Sequence, residues 1–142
     1  MLKQPNRTKF KKYKKRYLKK NNIATTQYQL KYGFIGLKAK SSLRINARQI
    51  ESFRQCVSRY LMRRGKIWLQ IFPYLPVSSK PTENRMGKGK GSIDYWCFPV
   101  KIGFILIEIS GVSFFKAKNA LTKAQNKLPI RTQIVSLFKK YA

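Results

Sequence analysis

The sequence predicts an α+β fold: a mixed or antiparallel sheet packed with two helices, with a basic extended N-terminal segment and a long glycine- and lysine-rich loop. Three observations predict it. Apolar residues recur at helical spacing in two places, Asn46 to Arg64 and Phe114 to Leu128. Short apolar runs bounded by Gly and Pro surround them, as strands are. Positions 1–20 hold ten Lys and Arg and no acid, so this stretch repels itself and stays extended until it meets phosphate.

Each element follows from local chemistry. From Gln27 to Ala39, Tyr28, Leu30, Tyr32 and Phe34 alternate as in a strand, with Gly33 and Gly36 marking a bend or bulge. The first helix opens at Asn46, with Gln49 completing a capping box. Its stripe is Ile50, Phe53, Val57, Tyr60 and Leu61. Arg63 and Arg64 suit its C-terminal dipole, and Gly65 is a natural residue just past its end. Lys66 to Phe72 reads as a strand with Ile67, Leu69 and Ile71 on one face. Pro73 to Asp94 reads as a long connection, and such loops are often functional. Tyr95 to Val100 and Phe104 to Ile109 suggest a hairpin turning near Gly103, with Pro99 at an edge or bulge. Ser113 can cap the second helix, whose inward residues are Phe114, Ala117, Leu121, Ala124 and Leu128. Pro129 ends it, and Ile130 to Leu137 is the last strand. The chain thus divides into a basic extension, 1–26, and one domain, 27–142, with a long loop at 73–94.

Charge bounds the function. The 142 residues carry 32 Lys and Arg against 4 acids, a formal +28. Repulsion on that scale disfavours a compact chain unless an anion offsets it, and nucleic acid is the natural counter-charge. A protein that compacts DNA or RNA would carry such a charge. A membrane-surface protein would need the apolar stripe of the first helix uncovered. No charge-free run is long enough to span a bilayer. Cys56 and Cys97 form no CxxC pattern and read as buried thiols in a reducing compartment. There is no histidine, and the four acids are scattered, which argues against an enzyme and against a metal or cofactor site.

The candidate contacts are cationic. In the extension they are Arg7, Lys9, Lys11, Lys12, Lys14, Lys15 and Arg16, with Phe10, Tyr13 and Tyr17 interleaved to stack on bases or sugars. In the domain they are Arg44, Arg48, Arg59, Arg63, Arg64 and Lys66. The run RMGKGKG supplies Arg85, Met86, Gly87, Lys88, Gly89, Lys90 and Gly91. It fits neither a Walker loop, which needs Ser or Thr after Gly-Lys, nor a dinucleotide fingerprint. Its glycines permit close backbone approach, its lysines are point charges, and Arg85 can hold a phosphate bidentately or stack on a base.

The strings NARQIESFRQ (46–55), RRGKIWLQIFPYLPVSSKPTENRMGKGKGSIDYW (63–96), SGVSFFKAKNAL and KLPIRTQIV, with the opening MLKQPNRTKFKKYKK, resemble the bacterial-type universal large-subunit ribosomal protein sixteen family. The resemblance spans nearly the whole chain and is weakest from Leu18 to Leu43. It implies an α+β protein seated in large-subunit rRNA near the peptidyl transferase centre, beside the binding place of aminoacyl-tRNA and neighbouring ribosomal proteins. It implies a threading segment that includes Arg7, Thr8, Lys9 and Phe10, and a functional loop at Arg85 to Gly91. It implies no membrane association and no homo-oligomer. The chain departs from the family at LKKNNIATTQYQ, where glycines and arginines are usual, and at Phe53 and Cys56, where small residues are usual. Abundant Lys, Asn, Ile, Phe and Tyr with sparse Ala match AT-rich coding. With a start that aligns directly on the family's, this suggests an organelle-encoded protein, mitochondrial first and plastid second.

Overall fold

The computed structural model describes residues 4–14 and 22–137. The elements run β1 (Ile35–Ala39), β2 (Leu43–Asn46), α1 (Ala47–Tyr60), β3 (Lys66–Leu69), β4 (Leu75–Ser79), β5 (Ser92–Val100), β6 (Ile105–Ser110), α2 (Phe114–Gln125) and β7 (Thr132–Ser136). The strands form two antiparallel sheets rather than one, in the orders β3-β6-β1-β7 and β2-β5-β4.

The register of the larger sheet explains its core. Ile67, Ile109 and Ile35 lie in one cross-strand row, and Leu69, Ile107, Leu37 and Ile134 in the next. Such rows are the unit of sheet stabilisation. Helix α2 packs against β1 and β7 of the larger sheet and against α1, while α1 reaches β2 and β5 of the smaller one, so the helix pair links the two sheets. Helix α1 buries Ile50, Phe53 and Val57 in the common core, with Leu61 buried just past its end, as the stripe predicts. This covered face removes the requirement of the membrane-surface reading. Tyr60, expected inward, is the last residue of the helix and is exposed, while Leu61 beside it is buried. Phe114 is also largely exposed, and Ala120 takes the inward place beside Leu121.

Three other expectations change. The run Tyr95 to Val100 does not pair with Phe104 to Ile109. Strand β5 is flanked by β2 and β4, and β6 by β1 and β3, so each lies inside a different sheet. The turn at Gly103 passes the chain from one sheet to the other, fastened by hydrogen bonds from the Gly103 N–H to the Ala39 carbonyl and from the Ala39 N–H to the Phe104 carbonyl. Pro99 is nevertheless at a local edge, since β4 pairs with β5 only as far as Cys97. The connection 73–94 contains the strand β4. Pro76 hides it in the sequence, and its edge position tolerates the missing N–H. Finally, Gln27 to Phe34 is irregular, and only Ile35 to Ala39 is strand.

Helix α1 ends earlier than the sequence implies. Gln49 accepts a hydrogen bond from the Asn46 N–H at 3.0 Å, as expected of the cap. At the other end the Met62 N–H reaches the Arg59 carbonyl and the Arg63 N–H the Ser58 carbonyl. This is a Schellman motif with Met62, not Gly65, in the left-handed position, at φ 52°. Gly65 serves the following turn, where a Cβ would lie 2.7 Å from the Ser110 carbonyl oxygen.

The buried Glu108 organises the irregular segment. Its Oε2 accepts the backbone N–H groups of Lys31, Tyr32 and Gly33 at 3.0, 2.7 and 2.8 Å, and its Oε1 accepts the Gln70 side-chain amide at 3.2 Å. A carboxylate with this many donors is well satisfied despite its burial.

Candidate nucleic-acid interface

The glycine-lysine loop is the tip of the β4–β5 ribbon. The last paired residues are Ser79 and Ser92, and residues 80–91 close the ribbon between them. The loop is exposed almost throughout, with Met86 97% exposed. Gly87, Lys88 and Gly89 all have left-handed backbones, at φ 98°, 53° and 82°. Among the described residues beyond the adjoining ones, no atom lies within 4 Å of a Cβ built on Gly87 or Gly89, so conformation rather than crowding calls for glycine there. Gly91 is different: a Cβ would sit 2.2 Å from the Ser79 carbonyl oxygen. The loop encloses an open hollow of about 730 Å³ lined by Lys80, Pro81 and residues 83–92. Lys80 reaches across it and donates to the Gly87 carbonyl.

The N-terminal segment docks on this loop. Lys12 Nζ donates to the Lys90 carbonyl at 2.7 Å, and Lys90 Nζ donates to the Tyr13 carbonyl. Phe10 and Tyr13 pack edge to face at 6.5 Å, with Lys9 Nζ 5.6 Å from the Phe10 ring centre. Arg7, Lys9, Lys11, Lys12 and Lys14 are exposed. Lys15 and Arg16 lie outside the described residues. Arg44, half-buried on β2, lines a cleft of about 250 Å³ with Tyr13, Lys14, Lys90 and residues of β4. Arg48, in the first turn of α1, lines a neighbouring hollow with Gln4, Asp94 and Tyr95. The structure therefore brings tail, loop, Arg44 and Arg48 to one region.

The remaining predicted cations group elsewhere. Arg59 and Arg63 line a depression at the C-terminal end of α1 together with Arg54, another arginine of the helix's cationic face. Arg64 lines an adjoining groove with Tyr60, Met62 and Lys116. Lys66 is exposed at the start of β3. Arg54 is paired with Glu51 at 2.6 Å, and this hydrogen bond holds the Glu51 carboxyl below the usual carboxylate range against the opposing effect of burial. Lys80 joins the loop although it stands outside the RMGKGKG run. Its signal is its place at the end of a strand leading into a glycine-rich loop.

Other chemistry is thin. Among the described residues no three His, Cys, Asp or Glu side chains gather as a metal site. Cys97 is buried and Cys56 half-buried, and neither forms a disulfide. Burial pushes the Cys97 thiol up, opposed by the charge of Arg44.

Residues 5–135, most of the chain, match the profile of the family described as ribosomal protein L16p/L10e. The chain belongs to that family. Curated members are similar along almost their full length. The large ribosomal subunit protein uL16 of Cereibacter sphaeroides is 48% identical over 132 residues, 93% of this chain and 95% of that protein. The uL16 protein of Xanthobacter autotrophicus is 47% identical over the same shares. That of Paracoccus denitrificans is 47% identical over 133 residues, 94% of this chain and 96% of that protein. The L16p/L10e match includes the tail from Pro5, the ribbon and its loop, so the docked region belongs to the family segment. The relatives are bacterial and do not show an organellar origin.

Proposed function

We propose that this L16p/L10e protein binds large-subunit rRNA with its tail and β4–β5 loop, near the peptidyl transferase centre, and there helps position aminoacyl-tRNA. As a member of this family it is a structural protein of the large ribosomal subunit and not an enzyme. One observation carries the finer reading: an exposed ribbon tip, three residues of it left-handed, lies against a cationic tail. Such a tip can enter crowded phosphates, its glycines letting backbone approach and its lysines neutralising charge. Arg85, Met86 and Lys88 are exposed on it. Neighbouring ribosomal proteins are its other partners, and it acts as a single copy. Its AT-rich residue usage supports a mitochondrial or, second, a plastid ribosome. Among the described residues no helix is long and apolar enough to cross a membrane.

The test uses subunits reconstituted with wild-type, Arg85→Ala or Lys88→Ala protein at checked occupancy. Normal incorporation with slower aminoacyl-tRNA accommodation or peptide transfer is expected. Full occupancy and unimpaired translation by both variants would sink the loop's role. Stronger binding to random duplex DNA than to folded rRNA at matched salt would favour the compaction reading instead.

A further inference from the structure

The reciprocal bonds between tail and loop carry more than docking. Lys12 donates to the backbone of Lys90, while Lys90 donates to the backbone of Tyr13. Each segment thus fixes the other, although both are cationic. Each carbonyl accepts one of an ammonium's three N–H donors and leaves the ammonium charge unneutralised. Directly beside this exchange lies the cleft of about 250 Å³, walled by Tyr13 and Lys14 from the tail, Lys90 from the loop, Arg44 from β2, and Pro76 to Ser78 from β4. No acid lines it. Glu51 is engaged by Arg54 and Glu108 by residues 31–33, while Glu83 and Asp94 line other hollows. Three cations from three chain segments converge on one concavity that also offers the Ser78 hydroxyl. Their charges repel one another, and an entering anion offsets that repulsion.

We propose that tail and loop form one RNA clamp, latched by Lys12 and Lys90, and that the cleft beside the latch takes a backbone phosphodiester between Lys14, Lys90 and Arg44. Arg44 is suited to the inner position, because it is half-buried and its planar fork can hold two phosphate oxygens. Tyr13, on the rim, can stack on the adjoining sugar or base. This rests on the rRNA-binding reading and adds coupling to it: tail and loop bind RNA as a unit, and damage to one disarms the other.

A double-mutant cycle on the full-length chain tests this, with large-subunit rRNA as the probe at one moderate salt concentration. Lys12→Ala and Lys90→Ala should each weaken binding, and the double variant should lose at least about threefold less than the product of the single losses. Lys11→Ala, a tail cation outside the latch, should combine multiplicatively with Lys90→Ala. Lys14→Gln and Arg44→Gln, on separate walls of the cleft, should be coupled to each other. Thermal melts should confirm that the exposed Lys12 and Lys90 variants fold. If the Lys12–Lys90 pair multiplies as the Lys11–Lys90 pair does, the latch is refuted while rRNA binding stands. If the Lys14–Arg44 pair is independent, the phosphate does not sit in the cleft. If wild-type protein fails to bind rRNA, both the clamp and the function beneath it fall.

Discussion

Replacing Glu108 should damage the fold more than replacing any other acid. Its carboxylate is 1% exposed and accepts three consecutive backbone N–H groups, all within 3.0 Å. In Glu108→Ala the buried Gly33 N–H loses its acceptor without access to water, which costs about 1–3 kcal/mol. The Lys31 and Tyr32 donors are partly reachable by solvent and add about 0.5–1 kcal/mol each. Loss of the Gln70 hydrogen bond and the cavity left behind bring the total to about 3–5 kcal/mol. Glu108→Gln keeps the shape and one carbonyl oxygen, so about 1–2 kcal/mol is expected. Urea denaturation of the free protein, read by circular dichroism, measures both. The Ala variant should melt about 10 °C or more below wild type. Amide exchange at Lys31, Tyr32 and Gly33 should accelerate before that of β6 itself. An Ala variant within about 0.5 kcal/mol of wild type, the range of ordinary surface changes, would refute the claim that this carboxylate holds residues 31–33 in place.

Other expectations follow from particular residues. Met62→Gly should stabilise the protein by about 0.5–1 kcal/mol, since Met62 is exposed and left-handed at the end of α1; an unchanged denaturation midpoint would contradict the Schellman assignment. Gly91→Ala should lower the melting temperature more than Gly87→Ala, because only at Gly91 does a Cβ meet backbone; equal effects would show that ribbon packing does not select glycine there. A thiol reagent should label half-buried Cys56 before buried Cys97. Because burial raises the folded Cys97 thiol's pKa, its contribution to stability is complete below the ordinary thiol range and declines as pH rises through it; a Cys97→Ala variant whose stability shows the same alkaline decline would assign that decline to other groups. Neutralising Lys11, Lys12 and Lys14 together should flatten the salt dependence of rRNA affinity by roughly 0.7–0.9 log units for each phosphate left unneutralised; an unaltered slope would mean that the tail does not touch phosphate.

The helices, the charge, the glycine-rich tip and the family are all legible in the chain alone, because each is written in neighbouring residues. The Ile50, Phe53 and Val57 spacing makes a helix whatever covers it, and RMGKGKG is flexible and cationic wherever it sits. Strand pairing is not local in this way. The runs 95–100 and 104–109 look like a hairpin because they are adjacent, yet each pairs on both sides with other strands, some of them distant in the chain. Strand β4 is hidden because Pro76 speaks against a strand until its edge position is known. Packing also settles what isolated charges do. Glu108 is one of four acids in the sequence, and only the assembled sheet brings three N–H groups to it from residues 31–33. Lys12 and Lys90 are 78 residues apart, and only the fold sets tail against loop. Composition sets how much charge a chain carries, whereas the pairing of distant segments sets where that charge converges.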